Sequence, residues 1–289
     1  MPAQHPTVDG LTPAWQQALA QLRATIARQP AAVVAYSGGV DSALVAAIAA
    51  EQLSERALAV TGVSPALAPH LREEAQRQAR WMGIAHREIA TAELKDPAYS
   101  SNPADRCYAC KRELHTLLAQ MRDAAAAAAE GFEAAVVLDG VNHDDLGDHR
   151  PGIRAAQERG VISPLAELGI SKAGVRAISK ALGFPWWDKP AQPCLASRFP
   201  YGEAINAERL QRVALAEAWL RERGFAELRV RSQGEAARIE LPPDQLPALL
   251  EAQLRPALVA AFLELGFTAV SVDLEGLVSG KLNRALPQP

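Results

Sequence analysis

No uninterrupted apolar run in this chain approaches the roughly 20 residues that a membrane-spanning helix needs. The opening MPAQHPTVDG has no charged region followed by an apolar one, so a secretory leader is not expected and a cytoplasmic protein is. Strong charge of either sign is also missing. The formal net charge of −3 is no electrostatic footprint for wrapping a polynucleotide. Aromatics are only 5% of the residues, and no basic, aromatic-studded appendage of the kind that stacks RNA bases stands out. Nucleic acid is therefore not an expected partner. Cysteine occurs three times, and three thiols cannot all pair within one chain. In a reducing compartment they are ligands or reactive groups sooner than disulfide partners. A Walker-type G-x-x-x-x-G-K-[ST] loop is absent as well.

What is present is 289 residues with 49% hydrophobic content, enough for one large or two modest domains with a proper core. Helical and strand patterns alternate through the first two thirds, which predicts an α/β fold with a parallel sheet covered by helices on both faces. Thr12 and Pro13 open a helix that ends near Gln29-Pro30. Strands are expected near 32–36, 57–63, 85–90 and 134–139, with helices near 42–53, 69–82, 110–130, 150–159 and 171–182. The alanine run Ala124–Ala129 reads as the end of a helix. Four prolines between 184 and 205 exclude regular structure there. Beyond it, a helix near 206–223, strands near 227–232, 237–241 and 269–274, and a proline-interrupted helical region predict a small α+β domain. The expected division is 1–185, a cysteine-bearing loop over 186–205, and 206–289.

Ala32-Val33-Val34-Ala35-Tyr36-Ser37-Gly38-Gly39-Val40-Asp41-Ser42 is the most informative stretch: an apolar strand runs into a glycine pair, an acid and hydroxyl residues. Gly38 and Gly39 can take backbone angles closed to other residues, so successive amides can face one anion. Ser37 and Ser42 add hydroxyl donors, and the helix after Ser42 would turn its N-terminal amides toward the same anion. Asp41 is then placed to hold magnesium. SGGVDS resembles the loop of the ATP pyrophosphatase superfamily, the PP-loop, which implies cleavage of ATP to AMP and pyrophosphate.

A second constellation is Asn102-Pro103-Ala104-Asp105-Arg106-Cys107-Tyr108-Ala109-Cys110-Lys111 with the distant Cys194. Cys107 and Cys110 stand three apart at an expected helix start, where their thiols can face one side and the helix dipole favours thiolate. Three thiolates suit three corners of a 4Fe-4S cluster with one iron open, a zinc completed by His115 or His143, or a redox pair plus a nucleophile. They also suit three buried small hydrophobes.

SGGVDS and NPADRCYACK, together with DGVNHDDLGDHRPG (139–152), SPLAELGISKAGVR (163–176) and KPAQPCLASRFPYG (189–202), resemble the LarE family of sulfur transferases across nearly the whole chain. The resemblance implies a PP-loop ATP pyrophosphatase domain (adenine nucleotide alpha hydrolase-like) and a role in building the nickel-pincer nucleotide cofactor of lactate racemase-type enzymes. A carboxylate of the small nucleotide pyridinium-3,5-biscarboxylic acid mononucleotide is adenylylated by ATP and then converted to a thiocarboxylate. In one branch of the family the cysteine at the position of Cys194 gives up its own sulfur. In the other, two more cysteines join it, and Cys107 and Cys110 make this chain similar to that branch. There a 4Fe-4S cluster carries an extra sulfide that attacks the adenylate, so sulfide or a sulfur-donor protein is the expected partner. Family members assemble through their C-terminal portions, which implies a homo-oligomer.

Further site residues are read partly from their positions in the expected elements and partly from the same resemblance. Lys172 is expected at the phosphates and Ser64 at adenine or ribose. Asp139, Asn142, Asp144, Asp145 and Asp148 crowd the end of a strand, where ligands bind in open parallel sheets. Arg198, Arg229 and Arg231 are expected to bind substrate, with Glu217 and Glu240 as magnesium ligands beside Asp41. Leu277 and Val278 depart from the family pattern, where an aromatic and an arginine are expected, and Lys281 or Arg284 is the available replacement. Other readings remain: a PP-loop tRNA thiolase, an ammonia-using synthetase, which needs no cysteine trio, and a non-catalytic iron–sulfur or zinc carrier.

Overall fold

The computed structural model of the chain describes residues 8–127, 132, 134–147, 151–278 and 280–285. In chain order the elements begin with α1 (Pro13–Ala27), β1 (Ala32–Ala35), α2 (Val40–Leu53), β2 (Ala57–Val63), α3 (Pro69–Met82) and β3 (Ala85–Ala90). They continue with α4 (Pro97–Ser100), α5 (Arg106–Ala127), β4 (Val136–Leu138), α6 (Pro151–Gln157), α7 (Pro164–Glu167) and α8 (Lys172–Ala181). Last come α9 (Ala207–Arg221), β5 (Arg229–Gln233), β6 (Ala236–Glu240), α10 (Leu246–Leu249), α11 (Leu254–Glu264) and β7 (Ala269–Val272). Of the expected alanine-rich helix end, Ala128 and Ala129 lie outside the described residues. No single helix among the described residues is long and apolar enough to cross a membrane.

The chain divides into two compact units. The first holds the described residues through Ser64, then Pro69–Glu93 and Cys107–Gln192; the second holds Pro65–Ala68, Leu94–Arg106 and everything from Pro193 onward. The contacts therefore assign residues 94–106 to the C-terminal unit, which a boundary drawn along the sequence cannot express.

In the first unit the sheet order is β3-β2-β1-β4 and every pairing is parallel. Alternation along β1 explains why both its faces are covered. Ala32, Val34 and Tyr36 join a core with α1, α2 and α8, whereas Ala31, Val33 and Ala35 join a second core with Leu118 of α5. Helix α2 is apolar almost all round because it is surrounded: Ala43, Leu44, Val45, Ala46, Ile48 and Ala49 are all buried. Its alanines let neighbouring backbones approach closely. Parallel pairing from Ala32↔Ala57 and Ala32↔Val136 brings the C-terminal ends of β1, β2 and β4 to one edge of the sheet. The loops leaving that edge carry Ser37, Ser64 and Asp139.

The second unit is built on a sheet of order β5-β6-β7, antiparallel between β5 and β6 and parallel between β6 and β7. A two-residue turn at Gly234-Glu235 joins β5 to β6, with Gly234 at φ +55°. Val230 and Ile239 are buried on the face that α9 and α11 cover with Leu210, Val213, Leu220, Leu258 and Phe262. Asn102 locks residues 94–106 into this unit. Fully buried and at φ +57°, it donates through Nδ2 to the carbonyls of Pro200 (2.6 Å) and Phe199 (3.4 Å). Its own carbonyl accepts from Gly202 N at 2.8 Å.

Candidate functional site

The loop from β1 to α2 is held from both sides. Tyr36 N donates to the Val60 carbonyl (2.8 Å), Thr61 Oγ1 donates to the Tyr36 carbonyl (2.8 Å), and the Tyr36 hydroxyl donates to Gln78 Oε1 (2.8 Å). Burial, with Glu74 nearby, pushes the Tyr36 phenol well above its ordinary range, so it stays a neutral donor. Gly38 sits at φ +73°, and a Cβ there would stand 3.1 Å from that of Ala75; both facts demand glycine. Gly39 is extended and caps α2 with its carbonyl, which accepts from Ala43 N (2.9 Å) and Ser42 Oγ (3.1 Å). Ser42 Oγ accepts from Ser37 N at 3.2 Å and lies 3.1 Å from Ser37 Oγ. The two serines are thus internal braces of the loop, while Ser37 stays exposed.

Asp41, in the first turn of α2, gathers residues far apart in the chain. Its Oδ1 accepts from Asn142 Nδ2 (3.2 Å) and its Oδ2 from Lys172 Nζ (2.5 Å). Lys172 opens α8 behind the cap Ser171, and its backbone amide donates to Asp144 Oδ2 at 2.9 Å. Asn142 in turn accepts from the amides of Asp144 (3.0 Å) and Asp145 (3.3 Å). Asp139 is buried at the end of β4, and burial raises its carboxyl although the Ser163 hydroxyl and the Val141 amide oppose the shift. Asp148 lies outside the described residues.

Three participants were not singled out from sequence. A Cβ on Gly140 would stand 2.5 Å from Ser42 N and 2.8 Å from Ser42 Cα, so the β4 exit lies backbone to backbone against the start of α2. Lys189 Nζ donates to the Gly38 carbonyl (3.3 Å) and pairs with Glu74 Oε2 (2.8 Å). Gly140 follows an acid at a strand end, a signal available in the sequence; Glu74 on α3 has none. Ser64 Oγ, expected at adenine or ribose, donates to Glu93 Oε1 at 2.5 Å. Glu93 is buried, and its Oε2 has no partner among the described residues.

The cysteines fall in different units. Cys107 is exposed in the first turn of α5, Cys110 stands one turn on and half-buried, and Cys194 is exposed just before a short helical turn over 195–198. Among the described residues no three His, Cys, Asp or Glu side chains gather within reach of one metal ion. His115 of α5 is buried, with neither ring nitrogen partnered among the described residues, and His143 is exposed. Burial, assisted by Lys111 and Arg159, pushes the His115 imidazole down to about 3.

In the second unit two buried guanidiniums face two buried carboxylates. Arg198 Nε and Nη2 meet Glu217 Oε1 and Oε2 at 2.8 and 3.1 Å, and Arg231 Nη2 meets Glu240 Oε2 at 2.9 Å. Glu240 also lies 3.5 Å from Arg238. Glu217 and Glu240 are therefore each paired with an arginine. Arg198 Nη1 additionally donates to the carbonyls of Pro193 (2.7 Å) and Cys194 (3.3 Å). Arg229 differs. It is half-buried with no carboxylate partner among the described residues, and burial together with the nearby Arg231 and Arg198 lowers its pKa. Lys281 is committed to Asp273 (3.0 Å) and the Gly276 carbonyl (2.7 Å), and Arg284 to Glu275 (2.7 Å).

No family model matches the chain. It is 54% identical over 268 residues to an uncharacterized protein of Synechocystis, covering 93% of this chain and 97% of that one. It is 34% identical over 254 residues to the pyridinium-3,5-bisthiocarboxylic acid mononucleotide synthase of Lactiplantibacillus plantarum, covering 88% and 89% of the two chains. An uncharacterized protein of Methanocaldococcus jannaschii is 28% identical over 243 residues, 84% of this chain and 89% of its own.

Two outcomes are expected from this geometry. Gly140→Ala forces the first turn of α2 away from β4 and lowers stability by about 1–3 kcal/mol, read by urea unfolding. His115 has a folded pKa below its ordinary 6.5, so its neutral ring stabilises the fold fully above that value, and the contribution is lost as pH falls from there toward the depressed pKa. In His115→Leu, unfolding measured from pH 7 to pH 4 should show a decline shallower than wild type by up to about 1.4 kcal/mol per pH unit.

Proposed function

The chain belongs to the LarE family, and from that premise we propose that it is an ATP-dependent sulfur transferase of nickel-pincer nucleotide biosynthesis. Its substrate in this reading is pyridinium-3,5-biscarboxylic acid mononucleotide, and its loop is a PP-loop. The observation that carries the reading is the convergence of Asp41, Asn142 and Lys172 on the glycine loop at the C-terminal edge of a parallel sheet, where anions bind in such folds.

The amides of the Gly38-Gly39 turn and of the first turn of α2 hold the pyrophosphate portion of ATP. Asp41 would be the carboxylate to hold a magnesium ion accompanying ATP, and Lys172, paired with Asp41, is the ammonium placed to contact a phosphate oxygen. A substrate carboxylate oxygen then forms a bond to the α-phosphorus as the bond to pyrophosphate breaks, with Lys172 stabilising the charge that departs. The acyl adenylate has AMP as its leaving group, which the bare carboxylate lacked. Sulfur replaces that group to give the thiocarboxylate.

In this reading Cys107, Cys110 and Cys194 would hold a 4Fe-4S cluster, since three thiolates leave one iron without a protein ligand. When bound, such a cluster would supply a sulfide nucleophile in place of the protein's own sulfur, with sulfide or a sulfur-donor protein restoring it. Arg229, with no carboxylate partner among the described residues, is the guanidinium open to the mononucleotide phosphate. Arg198 and Arg231 add positive potential beside it. Exposed Val259 and Leu263 on α11, with Leu250 nearby in sequence, support a homo-oligomer formed through the C-terminal unit.

Two variants separate the half-reactions. Asp41→Asn should lower AMP formation from ATP and the dicarboxylate nucleotide by about 100-fold or more while leaving iron content unchanged. Cys107→Ala should do the reverse: AMP still forms, but anaerobically purified protein lacks the roughly four irons of the cluster and yields no thiocarboxylate. Undiminished AMP formation by the first variant, or a full cluster in the second, sinks the corresponding assignment. A mass loss of hydrogen sulfide at Cys194 during turnover would instead assign the sulfur to that residue.

A further inference from the structure

Lys189 is a second lysine held against the nucleotide loop, and the reaction outlined above gives it no task. Its side chain is 11% exposed, so its ammonium must find acceptors within the protein. An ammonium has three N–H donors, and the described residues satisfy two: the Gly38 carbonyl at 3.3 Å and Glu74 Oε2 at 2.8 Å. Glu74 is itself a fixed acceptor. Its Oε1 accepts from Gln78 Nε2 (3.2 Å), and Gln78 Oε1 accepts from the Tyr36 hydroxyl, one residue before the loop begins.

Lys172 on Asp41 and Lys189 on Glu74 are thus two ammonium–carboxylate pairs joined to one loop. Resting on the reading of that loop as an ATP site, we propose that Lys189 is a phosphate-contacting residue shared between Glu74 and the nucleotide. A triphosphate cradled by the Gly38-Gly39 turn sets several anionic oxygens beside a lysine already bonded to Gly38, in competition with a single carboxylate. The four-carbon stem lets the ammonium move between the two acceptors.

The test is calorimetric MgATP binding to the full chain. Wild type should bind MgATP, Lys189→Gln should bind about tenfold more weakly, and Glu74→Gln, which keeps the lysine and removes its competitor, should bind more tightly. Equal affinity of Lys189→Gln and wild type overturns the proposal while leaving the ATP site intact. Failure of wild type to bind MgATP overturns the ATP reading and this one with it. Should Lys189→Gln fail to fold, Glu74→Gln decides alone, and an affinity identical to wild type refutes the exchange.

Discussion

The approach of Gly140 to the first turn of α2 is the contact on which the site depends. Because no side chain separates the β4 exit from Ser42 and Asp41, Asn142 reaches the Asp41 carboxylate, and the loop that follows offers Asp144 to the start of α8. Lys172 is carried to Asp41 as a result. A methyl group in that gap would push apart a pair of backbones that cannot yield as a side chain does. The burial of α2 on nearly every side gives the arrangement its stiffness: the helix that presents Asp41 has no direction in which to relax without opening a cavity in the core.

Charge in both units follows one rule. Cations near the described sites are stored on carboxylates: Lys172 on Asp41, Lys189 on Glu74, Arg198 on Glu217 and Arg231 on Glu240. The pairs at the glycine loop remain partly open to solvent, and the arginine pairs of the C-terminal unit are almost fully buried. Desolvation makes the buried pairs costly to separate, so they hold geometry, whereas the lysine pairs keep more contact with water. Among the described residues Arg229 has no carboxylate partner, and Arg198 and Arg231 lie close enough to disfavour its charge.

Much of the first unit was legible because local chemistry and tertiary environment agree there. β2, α3 and β3 lie at the expected 57–63, 69–82 and 85–90, where hydrophobic period and breakers coincide. α5 begins at Arg106, four residues before the expected start, since Asn102 and Pro103 end the preceding turn early; Cys107 thereby enters the first helical turn. β4 is shorter than expected, three residues where six were anticipated. The hydroxyls of Ser37 and Ser42 also proved to brace the loop as much as to face outward from it.

The sequence by itself determined the order of the main strands and of the longer helices, the glycine requirement at Gly38, the placing of Cys107 and Cys110 on one helix, and the family. These depend on residues near one another in the chain, where periodicity and backbone freedom act. Only the tertiary structure decided that Lys172 meets Asp41, that Glu74 holds Lys189, that Glu217 and Glu240 are spoken for by arginines, and that residues 94–106 belong with the C-terminal unit. Each of those pairings joins elements separated by strand crossovers or by a chain that leaves one unit and returns to it. Which charge meets which is settled by packing, and no local pattern encodes it.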